Sequence, residues 1–126
     1  MPSPLFSRAL IVVLMLAVTQ SMAVRGAQAH AVIITSVPAV GAIVRTDEGD
    51  VALHYNSRID HQRSRLTLIS PDGKGRPLVI APDSAPDVVV AKMSDLGPGQ
   101  YRLRWQVLAI DGHMTRGDIP FSVKAP

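Results

Sequence analysis

The chain has 126 residues and contains no cysteine. Disulfides, cysteine-based zinc sites and blue-copper electron-transfer centres are therefore excluded. The net charge of +3 comes from 13 basic and 10 acidic residues. The basic residues form no cluster along the sequence of the kind that a nucleic-acid-binding surface needs, so we expect no nucleic-acid partner.

The N-terminal part has the pattern of a secretory signal peptide. Residues 10–18 read LIVVLMLAV, follow Arg8 and precede Ala27-Gln28-Ala29. A basic start, an apolar run of this length and an A-x-A site are typical of a signal that is cleaved. The run is shorter than the roughly 20 residues of a membrane-spanning helix. We predict that residues 1–29 are removed on export, which makes His30 the first residue of a soluble protein.

A second cleavage site competes with this one. Ser21-Met22-Ala23 also places small residues at both required positions, and cleavage there would leave Val24 first. From His30 onwards the chain has 97 residues, enough for one domain. Because Arg8 and Arg25 are lost with the signal, 11 basic residues remain against all 10 acidic ones, a net charge of about +1.

The remaining chain predicts short strands separated by turns. Its apolar runs are rich in Val, Ile and Leu, and turn signals such as Pro71-Asp72-Gly73 and Gly97-Pro98-Gly99 separate them. The predicted fold is all-β, a seven-stranded Greek-key sandwich or barrel of immunoglobulin-like type. The predicted strands are residues 31–37, 51–55, 65–69, 77–80, 88–91, 100–109 and 118–124.

The sixth predicted strand shows the clearest alternation. Leu103, Trp105 and Val107 alternate with Arg102 and Arg104, so the two sets lie on opposite faces. We interpret Trp105 as a core anchor and the two arginines as a solvated face.

One set of residues predicts specific chemistry. A mature N-terminal His30 would offer an α-amine and an imidazole that close a chelate ring on a metal. Asp111 and His113, two residues apart, project from the same side of an extended strand end. Two imidazoles, an amine and a carboxylate suit Cu(II) in a tetragonal plane, while zinc can use the same ligands in a tetrahedron. We interpret His54 as a surface histidine, His61 as a loop histidine and Met114 as pointing away from His113.

These residues also carry a family resemblance. The sequence from His30 through Ser36-Val37-Pro38-Ala39 to Ala42, with YRLRWQVLAIDGH at residues 101–113, resembles copper-resistance proteins of the CopC family. The resemblance implies a periplasmic β-sandwich or barrel that binds one Cu(II) ion through His30, Asp111 and His113. It also implies an inner-membrane copper transporter of the CopD type as the partner, and we expect a monomer.

The sequence departs from that family pattern in two places. Some members have a methionine-rich Cu(I) site, whereas only Met93 and Met114 follow the signal here, so we predict no separate Cu(I) site and place Met93 in the core. Some members have a glutamate where this chain has Ser57. An outer contact that orients a ligand would then differ.

The predicted function is a non-enzymatic Cu(II) carrier in copper homeostasis or resistance. The alternative is a metal-free immunoglobulin-like interaction module, which would require cleavage before Val24. A copper-dependent oxygenase is disfavoured, since most of the few aromatic residues lie in strand patterns typical of a core.

Overall fold

The computed structural model describes residues 30–126, and the predicted signal peptide, residues 1–29, lies outside the described residues. Eight strands form two sheets. They are β1 (Ile33–Val37), β2 (Ile43–Val44), β3 (Gly49–Tyr55), β4 (Ile59–Ile69), β5 (Gly75–Leu78), β6 (Val88–Met93), β7 (Gly99–Ala109) and β8 (Met114–Val123).

The two sheets confirm the predicted all-β sandwich. The smaller has the strand order β1-β3-β6 and the larger has the order β2-β8-β7-β4-β5. The strand count is eight rather than seven, because β2 was missed. This strand has only two residues, and it pairs in parallel with the end of β8. A pair of residues is too short to show any period along the sequence.

The core lies between the two sheets and is built from inward-facing residues of both. Leu53 of β3, Leu68 of β4, Leu103 and Val107 of β7 and Phe121 of β8 are almost fully buried. Trp105 is partly buried and packs against this core. Its ring meets that of Tyr55 edge-on, with centroids 5.7 Å apart. Removing such apolar surface from water is the main force that holds two sheets together.

Two strands, β4 and β8, begin four or more residues earlier than the sequence predicts. β4 starts at Ile59 and β8 at Met114, against predicted starts at residues 65 and 118. In β4 the alternation is interrupted because the pairing with β7 shifts register between Asp60 and Arg65. Ser64 stabilises this bulge, since its hydroxyl donates to the Asp60 carbonyl at 2.6 Å and accepts from the Leu108 N–H at 3.0 Å.

The N-terminal segment and the β7–β8 hairpin meet at one end of the sandwich. β1 is an edge strand that pairs with β3, and the turn after β3 contacts both the segment before β1 and the hairpin. No helix among residues 30–126 is long and apolar enough to cross a membrane.

Candidate metal centre

The tight β7–β8 hairpin presents Asp111 and His113. Ala109 and His113 close it, with the Ala109 N–H donating to the His113 carbonyl at 2.9 Å. The Gly112 N–H donates back to the Ala109 carbonyl at 2.9 Å. Gly112 has φ +91°, a conformation that glycine adopts without steric cost. The Ile110 N–H donates to the Arg58 carbonyl at 3.0 Å, which fixes the hairpin to the turn after β3.

Asp111 and His113 contact each other directly. The carboxylate accepts from the backbone N–H of His113 at 3.1 Å, and its second oxygen lies 3.0 Å from Nδ1 of the same residue. These hydrogen bonds, the backbone one first, lower the pKa of Asp111. The carboxylate is therefore ionised at neutral pH. With Nδ1–H directed at Asp111, Nε2 of His113 keeps its lone pair for a metal.

Three hydrogen bonds to other parts of the fold hold the segment that follows His30. The Val32 N–H donates to the side-chain oxygen of Asn56 at 2.8 Å, and the Val32 carbonyl accepts from the Asn56 N–H at 3.0 Å. The carbonyl of the buried Ala31 accepts from the Thr115 hydroxyl at 3.2 Å. Residues 31 and 32 are thus fixed between the turn after β3 and the start of β8.

This arrangement brings His30 beside His113. The two imidazole rings meet edge-on, with centroids 5.4 Å apart and planes 69° apart. The three residues predicted from sequence therefore lie together at one end of the sandwich, although 80 residues separate His30 from Asp111.

The side chains alone do not form a complete cage. Within residues 30–126, no group of three or more His, Cys, Asp or Glu side chains is arranged to hold a metal ion. In the full-length chain the nitrogen of His30 belongs to the peptide bond with Ala29. That nitrogen becomes a basic amine only when the bond is cleaved, so the predicted donor set depends on processing at this position.

Sequence reasoning missed the two residues that position the N-terminal segment, Asn56 and Thr115. In the sequence, Ser57 stands out instead, as the residue that replaces a glutamate of some family members. Its hydroxyl makes a 3.5 Å contact with the carbonyl of the adjacent Arg58. Asn56 directly follows β3 and is a typical turn residue. Nothing in the sequence links it to a segment 24 positions earlier.

The remaining histidines are engaged elsewhere. His54 lies 2.8 Å from the carboxylate of Asp87. This hydrogen bond is the main reason that the pKa of Asp87 is lowered. The prediction of a loop for His61 is wrong, since the residue belongs to β4, is half-buried and contacts the Val88 carbonyl at 2.7 Å. The predicted core position of Met93 is confirmed, whereas Met114 is exposed at the start of β8.

Comparison with known proteins assigns the fold to a family. The family profile of the CopC domain matches residues 33–124, most of the chain. The chain belongs to the CopC family. The matched region includes Asp111 and His113 of the hairpin, and it begins three residues after His30.

Two curated relatives are similar over most of their length. The copper resistance protein C of Xanthomonas campestris pv. juglandis is 30% identical over 115 residues, which cover 85% of this chain and 90% of that protein. The protein YobA of Escherichia coli K12 is 28% identical over 109 residues, which cover 84% and 88%.

Two solved structures share the fold. The crystal structure of CopC from Methylosinus trichosporium OB3b aligns with a TM-score of 0.68 at 21% identity, covering 76% of this chain and 95% of that one. The structure of PcoC, a methionine-rich copper resistance protein from Escherichia coli, aligns with a TM-score of 0.59 at 26% identity, covering 76% and 100%.

Proposed function

We propose that this protein is a periplasmic carrier that holds one Cu(II) ion as its cargo in copper homeostasis or resistance. The ligands are the α-amine and imidazole of a processed N-terminal His30, together with Asp111 and His113. Membership of the CopC family and likeness to a copper resistance protein support a copper-related role. The observation that carries the specific site is the contact between the rings of His30 and His113.

The ring separation fits a shared metal. An imidazole nitrogen binds a metal at about 2 Å, so two rings on one ion have centres no more than about 6 Å apart. The observed centroid distance of 5.4 Å lies within that limit. The ionised Asp111 beside them adds an oxygen donor and balances the cation's charge. Mixed nitrogen and oxygen donors of this kind favour Cu(II), which also has the highest affinity among the divalent ions of the first transition series.

The aromatic residues argue for a carrier over an oxygenase. An enzyme acting on a polysaccharide would need an exposed aromatic surface around the metal. In residues 30–126, Tyr55, Tyr101 and Phe121 are buried and Trp105 packs against the core. A carrier needs only ligand exchange, and half of the His113 side-chain surface is accessible to a donor or acceptor.

The cellular setting follows from the predicted signal peptide. Export with cleavage after Ala29 would deliver the protein to the periplasm and create the amine in one step. An inner-membrane transporter of the CopD type is the proposed exchange partner. Such a partner would reach the ion from the exposed end of the sandwich, where Asp111 and His113 both lie on the surface.

The test begins with protein recovered after export from a host that processes the signal. Its first residue is identified by mass, and Cu(II) is added while the electron paramagnetic resonance (EPR) spectrum is recorded. We expect a first residue of His30 and one tetragonal, nitrogen-rich Cu(II) signal that saturates at one ion per chain. A chain that begins at Val24 and gives only the spectrum of unbound Cu(II) would instead favour the metal-free interaction module.

A further inference from the structure

The outer surface of the larger sheet carries four arginines from three strands. Arg65 of β4, Arg102 and Arg104 of β7 and Arg116 of β8 are all exposed. Each alternates along its strand with buried or half-buried residues of the inner side, so all four project away from the core. We call this set the outer arginine face. The sequence separates its members by up to 51 positions, and only the pairing of the strands brings them together.

Strand pairing sets the spacing of the charges. Arg65 lies opposite Gln106, which lies opposite Arg116, so these three residues form one row across β4, β7 and β8. With strands about 4.8 Å apart, the two arginines of that row are about 10 Å from each other at the backbone. Arg102 stands four residues along β7, roughly 13 Å from the row. The charges therefore cover an area rather than converge on one point.

One carboxylate partly compensates the face. Asp118 makes a bidentate pair with Arg104, at 2.9 and 3.2 Å, and lies 3.5 Å from Arg102. In residues 30–126, Arg65 and Arg116 form no ion pair. The face thus carries four positive charges and one negative charge, a net +3. Beside them is a shallow cleft of about 420 Å³, lined by Arg104, Trp105, Gln106, Arg116, Gly117 and Asp118.

The opposite surface of the sandwich has the other sign. On the outer side of the smaller sheet, Asp50 pairs with Lys92 at 3.9 Å, and Asp87 lies beside His54. With His54 neutral, these groups sum to a net −1. The two faces therefore differ by about four charges although residues 30–126 as a whole carry about +1. Such a separation orients the molecule in front of a charged surface.

We propose that the outer arginine face is a docking surface for an anionic phospholipid bilayer, through contacts of its guanidinium groups with phosphate headgroups. Guanidinium groups bind phosphate oxygens in bidentate geometry. Arg65, Arg102 and Arg116, spread over about 10 by 13 Å, match an array of headgroups better than a single phosphate ion. Docking in this way directs the outer side of the smaller sheet, which carries Asp50 and Asp87, away from the membrane.

A protein partner fits this face less well. Protein interfaces depend on buried aromatic or aliphatic anchors at their centre. Most of the exposed large hydrophobic residues of the described chain, such as Ile34, Val79 and Ile110, lie elsewhere, and Met114, two residues before Arg116 in β8, lies at the margin of the face. Basic residues next to a membrane bind anionic lipid by electrostatic attraction, without apolar anchors. Each arginine contributes about 1 kcal/mol, or roughly fivefold in affinity.

The experiment measures co-sedimentation with vesicles. The exported protein, shown by mass to lack residues 10–18, is mixed with vesicles of phosphatidylcholine alone or of phosphatidylcholine and phosphatidylglycerol. The test variant is R65Q with R116Q, which leaves the Asp118 pairs intact. The matched control is R45Q with K74Q, which removes the same charge at two exposed positions outside the face. Thermal melts verify that both variants fold.

The proposal predicts binding to the anionic vesicles alone and loss of that binding in 1 M salt, where charges are screened within about 3 Å. It predicts about 25-fold weaker binding for the test variant and less than a threefold change for the control. Equal loss in both variants would mean that total charge, and not this face, attracts the protein, and would overturn the proposal. A lack of binding to anionic vesicles would also overturn it. So would self-association without lipid that disappears at high salt, because it would indicate that the two oppositely charged faces pair between copies of the chain. Copper is absent throughout, so the result is independent of the proposed metal site.

Discussion

At the residue scale, Asp111 combines two roles in the proposed site. Its oxygens accept from the backbone N–H and the ring of His113, which fixes the orientation of the imidazole and leaves Nε2 for the metal. A carboxylate oxygen has a second lone pair, so the same group can also bind the ion. Asp111 therefore affects affinity both as a donor and through His113.

This arrangement predicts a ranking of substitutions. His113→Ala removes an imidazole donor, and we expect Cu(II) affinity to fall by about 100-fold or more. Asp111→Asn keeps the shape but loses the charge, for an expected loss of roughly 10- to 100-fold. His54→Ala is the control, because the imidazole of His54 contacts Asp87 and not the proposed site. The Cu(II) affinity of this variant should not change. Competition against a Cu(II) chelator measures all three, and equal losses in His54→Ala and His113→Ala would contradict the assignment.

The His54–Asp87 pair predicts a separate electrostatic effect. Because the hydrogen bond from His54 lowers the pKa of Asp87, this pair stabilises the fold at pH values above the carboxyl's unfolded pKa. The contribution is lost as the pH falls through the lowered folded pKa. His54→Ala should raise the pKa of Asp87 towards 3.8, as measured by the pH dependence of its carboxyl carbon NMR signal. An unchanged titration of Asp87 would show that the pair does not persist in solution.

At the element scale, the sequence predicts strands well where one face is apolar and poorly where pairing alone defines them. Residues 100–109 alternate cleanly, and β7 confirms that interpretation almost to the residue. The first half of β4 is polar and contains a bulge, so its period is lost. The start of β8 has the same difficulty, since Met114, Arg116 and Asp118 are all exposed. There the hydrogen-bonded partner strand, and not the local sequence, creates the structure.

A close approach between β7 and β8 gives a prediction at this scale. A Cβ atom on Gly117 would lie 2.6 Å from a ring carbon of Trp105, closer than atoms can pack. We expect Gly117→Ala to lower the free energy of unfolding by about 1–3 kcal/mol, measured by urea denaturation. Gly97→Ala is the control, because a Cβ there meets no atom within 4 Å. Equal stability of the two variants would mean that Trp105 moves aside freely.

At the scale of the whole molecule, the proposed site joins the two ends of the domain. His30 precedes the first strand, while Asp111 and His113 lie in the last hairpin. No local pattern predicts such a contact. The donor chemistry of the three residues and the family resemblance together suggested it, whereas Asn56 and Thr115, which hold the N-terminal segment in place, had no visible signal. Alternation along one strand predicted the exposed Arg102 and Arg104 of the outer arginine face, but only strand register adds Arg65 and Arg116 from distant positions.

The donor set also predicts how binding depends on pH. The α-amine and both imidazoles must lose protons to bind a metal, whereas the lowered pKa of Asp111 keeps that carboxylate ionised. Cu(II) affinity should therefore begin to fall below about pH 8, the usual pKa of an α-amine, and fall more steeply below about pH 6.5, the usual pKa of histidine. The fall should approach about tenfold per pH unit for each proton displaced. Constant affinity between pH 7.5 and 5.5, measured by competition, would exclude nitrogen donors as the main ligands.

The most direct test of the central claim is the Cu(II) affinity of two chains that differ only at the N-terminus. One begins at His30 and the other retains Ala29, so that the nitrogen of His30 is an amide in the second. We predict that the extended chain binds Cu(II) at least about 100-fold more weakly and gives an EPR spectrum with fewer nitrogen ligands, because it loses the chelate formed by amine and ring. Equal affinities and identical spectra would show that the amine is not a ligand, and the site would then depend on side chains alone.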